Sequence, residues 1–281
     1  MGGSLRRGMS TMPAARPSPL PAMTASRLLL AACLLAAFAP GARAELPAEI
    51  RVYDDSLDDP GEFGFEIHSS RTFQRSRRHP AHGELASDRG WRVTPEISYG
   101  INEHTEVSLL FPTVVDAAGN AWLGGQQLQL KWLPFLAPAE GGFFAGVNWE
   151  LVTATRRFDE RRNSVEIRPI LGYRDGRWTA IVNFLTSYGL TRGHRQGGFD
   201  FDPAFKVSRA VGAGVHLGVE YFTEVGKLAR FAPHAEQDHM AYLTVDVARA
   251  GWKINLGVGR GLNSATDPWM LKTIIEFPLD D

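Results

Sequence analysis

The chain has 281 residues, with 30 Lys and Arg against 31 Asp and Glu, a formal net charge of −1 and a single cysteine. That balance leaves no overall basic field of the kind that holds nucleic acid. With Cys33 confined to an N-terminal apolar run, the rest of the chain can form no disulfide, thiolate metal site or cysteine nucleophile. After residue 44 no run of about 18 apolar residues occurs, which excludes a membrane helix there but not a β-barrel, whose lipid face takes only alternate residues.

Residues 1–44 read as a cleaved signal peptide. Arg27 precedes the apolar run Leu28 to Phe38, Pro40 and Gly41 break it, and Ala42-Arg43-Ala44 fits a small-x-small cleavage site. Met23 is the more ordinary start, which leaves a signal over 23–44. A lipoprotein-type box at Leu30-Ala31-Ala32-Cys33 is disfavoured by the short apolar core before it. Residues 45–60 are expected to be a polar periplasmic leader. Its Asp54, Asp55, Asp58 and Asp59 lack the Gly and Glu spacing of a calcium loop and read as a solvated acidic segment.

From Gly61 onward, period-two alternation predicts about twelve strands. They fall near 62–72, 91–99, 105–111, 125–133, 143–154, 164–173, 178–190, 199–208, 215–225, 239–248, 252–260 and 269–278. In the second, Trp91, Val93, Pro95, Ile97 and Tyr99 oppose Arg92, Thr94, Glu96 and Ser98. Asp175-Gly176 predicts a type I′ hairpin turn with φ > 0 at both positions. Beyond it, Trp178 and Tyr188 share a face and, on a strand tilted by about 40°, lie about 25 Å apart along the barrel normal, the height of an outer-membrane apolar band. The expected aromatic girdle is Trp91, Tyr99, Trp132, Trp178, Tyr188, Trp252, Trp269 and Phe277. Pro95, Pro169 and Pro203 are expected at bulges or strand ends. The tail Pro278-Leu279-Asp280-Asp281 departs from the aromatic-terminated assembly signal of such barrels.

The connections alternate long and short, as outer loops and periplasmic turns do when both chain ends lie in the periplasm. The polar faces would then line the lumen, with Glu66, Arg92, Glu96, Lys131, Glu150, Glu166, Arg168, Lys206, His216, Glu220, Lys253 and Lys272. Two readings of that lining stay open: an ion-pair network that fills a narrow barrel, or a polar eyelet that filters solutes. His216, Glu220 and Glu224, at about 13 Å per four residues, cannot chelate one ion by themselves. No metal and no cofactor are expected. His68 and Ser69 point to opposite faces and form no catalytic dyad, so no catalytic residue is assigned and an enzyme, including a lipid-active one, is not expected. His79, His82, His234 and His239 read as polar loop residues. The loop arginines, Arg75, Arg77, Arg78, Arg156, Arg157, Arg161, Arg162, Arg192 and Arg195, suit lipopolysaccharide phosphates or an anionic solute at the mouth.

The stretches Thr94 to Pro112 (TPEISYGINEHTEVSLLFP), Gly124 to Trp132 (GGQQLQLKW) and Gly257 to Asn263 (GVGRGLN) resemble the family named for the meta-pathway of phenol degradation. The likeness spans most of residues 61–279 and rests on strand-and-turn pattern, not on a catalytic signature. It implies an outer-membrane barrel and a transport role, and it transfers no binding residue.

The sequence thus predicts an all-β chain: a transmembrane antiparallel barrel of about twelve strands over 61–281, in the bacterial outer membrane. Its expected partners are outer-membrane lipids and lipopolysaccharide, the barrel-assembly machinery and a small-molecule solute. The expected function is passive diffusion of small solutes, aromatic or other hydrophobic compounds among them, with no plug of notable size ahead of the barrel. The alternatives are a structural envelope barrel with a plugged lumen and a soluble periplasmic β-protein with its faces reversed.

Overall fold

A computed structural model describes residues 50–74, 90–116, 118–155, 162–191 and 198–279. The expected signal peptide, His79, His82 and all the loop arginines except Arg162 lie outside the described residues.

Sixteen strands form one antiparallel sheet. They are β1 Phe63–Gln74, β2 Trp91–Asn102, β3 Thr105–Leu110, β4 Thr113–Val115, β5 Ala121–Leu123, β6 Gly125–Phe135, β7 Gly142–Ala154 and β8 Asn163–Arg174. There follow β9 Trp178–Gly189, β10 Asp200–Gly212, β11 Val215–Glu224, β12 Gly226–Lys227, β13 Arg230–Phe231, β14 Asp238–Arg249, β15 Trp252–Gly261 and β16 Trp269–Glu276. The twelve long ones build the wall, and β1 pairs with both β16 and β2, which closes it. β4 continues β3 past Phe111-Pro112, and β5 leads into β6 across Gly124. The Gly124 amide donates to the Pro112 carbonyl at 2.6 Å, so the two interruptions lie side by side. The expected loop at 112–124 is therefore mostly a hairpin extension of the wall.

Two local expectations are corrected. The three prolines do not mark strand ends or bulges. Each is paired on one side (Ile67 with Pro95, Val147 with Pro169, Phe184 with Pro203) and meets a gap in the ladder on the other. Pro95 faces the break between β3 and β4, the β8–β9 pairing skips Arg168 and Pro169, and β10–β11 pairing starts at Ala204. The register runs straight through each position, with Phe111 opposite Pro95, Phe184 opposite Pro169 and Thr223 opposite Pro203, so each proline omits a ladder bond without shifting the strands. The turn at Asp175-Gly176 has no positive φ. The Asp175 carboxylate instead accepts the backbone N–H groups of Arg177 and Trp178, both at 2.7 Å. This Asx turn does the work of the left-handed backbone, and the same two bonds hold the exposed Asp175 carboxyl below the usual range, Trp178 contributing most.

Burial shows which face is which. Phe143 and Leu243 are 79% and 72% exposed, on the outer face with Leu217, Val219, Leu256 and Val258. Glu150 and Glu220 are 3% and 1% exposed, on the inner face. A soluble barrel would be built the other way round, with its apolar face inside. An outer band this apolar needs lipid against it. The wall is that of a membrane-spanning β-barrel. At the short-turn rim Phe63 packs on Tyr99, Phe143 on Tyr173 and Trp252 on Phe277, with ring centroids 4.9, 5.0 and 5.1 Å apart. Trp132 and Trp178 are exposed at that rim, and Trp91, Tyr188 and Trp269 stand at the long-loop end.

Candidate functional site within the barrel

Within the segment expected as a polar periplasmic leader, residues 50–58 bond to the inner wall of the barrel, which corrects the reading of its aspartates as solvated. Arg51, Tyr53, Asp55 and Asp58 each have a side-chain partner on the barrel strands, while Asp54 accepts from Ser56 within the segment. The Lys272 ammonium donates to the Ile50 carbonyl at 2.9 Å. Arg51 Nη1 lies 2.7 Å from Glu66 Oε2 and 3.8 Å from Glu96 Oε2. The Tyr53 phenol exchanges hydrogen bonds with the Gln129 amide, and the Arg168 guanidinium stacks 4.4 Å from its ring centroid. Asp55 is buried and accepts from Arg174 at 3.0 Å. Asp58 accepts from the Ser98 hydroxyl, and its amide donates to Glu106 Oε2 at 2.7 Å. Of the four aspartates read as a solvated segment, only Asp59 is exposed.

Two glycines make the approach possible. A Cβ on Gly100 would collide with the Asp59 carbonyl oxygen, and one on Gly64 with the Asp58 carboxylate and Ser98 hydroxyl. The Gly61 amide donates to the Gly100 carbonyl at 2.8 Å and fixes the entry of the leader at the short-turn mouth.

The inner face is not uniformly polar. Leu133, Phe144, Ile170, Ile181 and Ala204 form a buried apolar cluster that is completed by Val52 and Tyr53 of the leader. Nearer the long-loop end, Met240, Tyr242 and Met270 form a second, with Ile50 and Phe222 packed against it. The leader therefore covers apolar surface as well as charge.

No protein-family model matches the chain, and no curated protein matches it. Among solved structures it is similar to the COG4313 outer membrane channel from Pseudomonas putida F1, with 14% identity over 81% of this chain and 99% of that one, at a TM-score of 0.56. It also matches the KdgM porin in complex with disordered oligogalacturonate, with 9% identity over 78% of this chain and 100% of that one, at a TM-score of 0.48. At 14% identity the first likeness speaks to fold, and the fold is a closed twelve-stranded outer-membrane barrel.

The charged residues singled out from sequence fall into groups within this barrel. Glu66 and Glu96 face each other across β1 and β2 with His68 between them. Lys131 lies 3.2 Å from Glu106. Arg168 lies 3.5 Å from both Glu150 and Glu166. Lys206 lies 3.3 Å from Glu220 and 2.9 Å from Asp246, and Lys272 closes on the same Glu220. Arg92 borders a small cavity with Ile50, His68 and Lys272. His216 is opposite Asp246 near the short turns. Lys253 is more than half exposed and pairs with Glu276 at 2.6 Å, so it stands at the rim and not in the middle. His68 and Ser69 do point to opposite faces; His68 is buried inside the barrel.

Sequence reasoning missed Tyr53, Gln129 and Asn183, which carry the docking of the leader, and the inner apolar residues. It also missed Asn148, 1% exposed, opposite Lys131 and Arg168, whose amide nitrogen and oxygen have no hydrogen-bond partner among the described residues.

Proposed function

We propose that this barrel is an outer-membrane channel for passive diffusion of small solutes, aromatic and other apolar compounds among them, and that the leader is its closing element. The observation that carries the reading is the lumen itself. It pairs apolar clusters around Phe144 and Tyr242 with a charged and amide-lined side, and it already holds one phenol ring, Tyr53, between Gln129 and Arg168. An aromatic solute with a polar group would meet the same two surfaces, and Asn148 supplies unused hydrogen-bonding capacity beside them. The reading also favours membership of the phenol meta-pathway family, and contacts of the outer loops with lipopolysaccharide and of the nascent barrel with the assembly machinery.

The seated leader supports a second reading, a structural barrel whose lumen stays shut. Ion conductance of the purified full chain in a planar bilayer separates the two. The channel reading expects current steps that an aromatic probe such as 4-hydroxybenzoate interrupts and glucose does not. Absence of steps under every condition tried would leave the structural reading standing.

A further inference from the structure

The inner face carries a group of metal-ligating side chains that the channel reading does not use. Glu66 and His68 are two residues apart on β1 and so point the same way, and Glu96 is directly opposite Glu66 on β2. His68 Nε2 lies 2.9 Å from Glu96 Oε2 and 3.3 Å from Glu66 Oε2. One ligand atom from each of the three lies within 4.8 Å of the others. A divalent ion held about 2.1 Å from each of three ligands sets them about 3.0–3.4 Å apart, so the two histidine distances already match. All three side chains are buried, on two directly paired strands of a closed wall, so the set is held together by the sheet and not by a loop.

A second observation points to a cation. The leader already delivers one here, the Arg51 guanidinium, onto the same two carboxylates. A divalent ion would take the place of that guanidinium on Glu66 and Glu96, so neither carboxylate is left without a cation, which matters because an unpaired buried charge is costly.

We propose that Glu66, His68 and Glu96 form a site for a divalent transition-metal ion of the Zn2+ class, which competes with Arg51 of the leader for the same two carboxylates. Nitrogen and carboxylate donors suit such ions better than Ca2+, which takes six or more oxygens. Metal and seated leader are alternatives, so the ion favours the withdrawn leader. This last step rests on the leader's proposed role as closing element; the site does not.

The test is Zn2+ titration, by calorimetry, of the purified full-chain barrel in detergent. Three chains are compared: the native chain, Arg51→Ala, and Arg51→Ala combined with Glu96→Gln. Heat-modifiable mobility on a gel checks that each is folded. The expected result is one Zn2+ bound by Arg51→Ala at least about tenfold more tightly than by the native chain, and lost in the double variant. Arg51→Gln, which keeps a polar side chain at the position, should behave like Arg51→Ala and replaces it if that variant does not fold. Equal Zn2+ affinity with and without Arg51 would overturn the competition, and affinity unmoved by Glu96→Gln would overturn the site. Binding is read without any transport step, so a failed conductance experiment leaves this result independent.

Discussion

The side-chain amide of Asn183 clasps the backbone of Tyr53 from both directions. Its Oδ1 accepts the Tyr53 amide at 2.7 Å and its Nδ2 donates to the Tyr53 carbonyl at 3.0 Å. A β9 side chain thus pairs with the leader as a neighbouring strand would. Asn183→Leu removes both bonds and leaves a buried N–H and C=O unpaired, a loss of about 1–3 kcal/mol per group. The expected outcome is a leader released from the lumen and a larger or more frequent conductance step, with the heat-induced gel shift retained. Conductance equal to that of the native chain would mean that Asn183 does not hold the leader.

Gly100 tests the same docking without touching a charge or a hydrogen-bonding side chain. Gly100→Val places a branched side chain where the Asp59 backbone crosses. It should open the mouth as Asn183→Leu does, measured as faster protease cleavage within residues 50–60 in the folded barrel. Undiminished protection would show that the leader can pass the wall at a greater distance.

Docking should also respond to pH. Asp58 belongs to the leader, outside the spanning strands, and burial pushes its carboxyl up to about 6, with the nearby Glu106 acting in the same direction and the Ser98 hydroxyl against it. An acid whose pKa rises on docking stabilises the docked state while it is protonated and loses that contribution as pH climbs through the docked value. The leader should therefore sit more firmly at pH 5 than at pH 7.5, and open events should become more frequent over that interval. Asp58→Asn should flatten the dependence. A conductance that falls with rising pH in the native chain would contradict the sign.

Leu243 reports on which face meets lipid. It lies in the middle of β14, 72% exposed. Leu243→Arg should cost about 2–4 kcal/mol if the residue faces the bilayer midplane, read as a lower urea midpoint for the barrel in lipid vesicles. On a water-facing surface the same change would be nearly neutral.

The turn between β14 and β15 contains the one non-glycine residue with positive φ among the described residues, Ala250 at 50°. The left-handed region costs an L-residue about 1–2 kcal/mol. Ala250→Gly should recover about 1 kcal/mol of that, seen as a higher temperature for the mobility shift on heating. An unchanged or lower temperature would argue that the turn carries no such strain.

The wall was legible in the sequence because alternation is written residue by residue. Trp178 to Gly189, Asp200 to Gly212 and Trp269 to Glu276 each begin within a residue of the periodic reading. The inner apolar clusters were not, because Phe144, Ile170 and Ile181 follow or precede other apolar residues (Phe143, Leu171, Val182), and period two is silent where both faces are apolar. The leader was illegible for a different reason. Arg51, Tyr53 and Asp55 alternate over too short a run to stand out, Asp58 breaks the spacing, and their partners Glu66, Gln129, Arg174, Asn183 and Ser98 are scattered over the chain. Only closure of the sheet brings those partners around one axis.

The bond between Ile50 and Lys272 spans 222 positions, from the first described residue to the final strand. A chain arrested before β16 lacks both the seam with β1 and the anchor for Ile50. The strand that seals the wall is thus also the one that anchors the start of the seated leader, so this contact is possible only with the last strand in place.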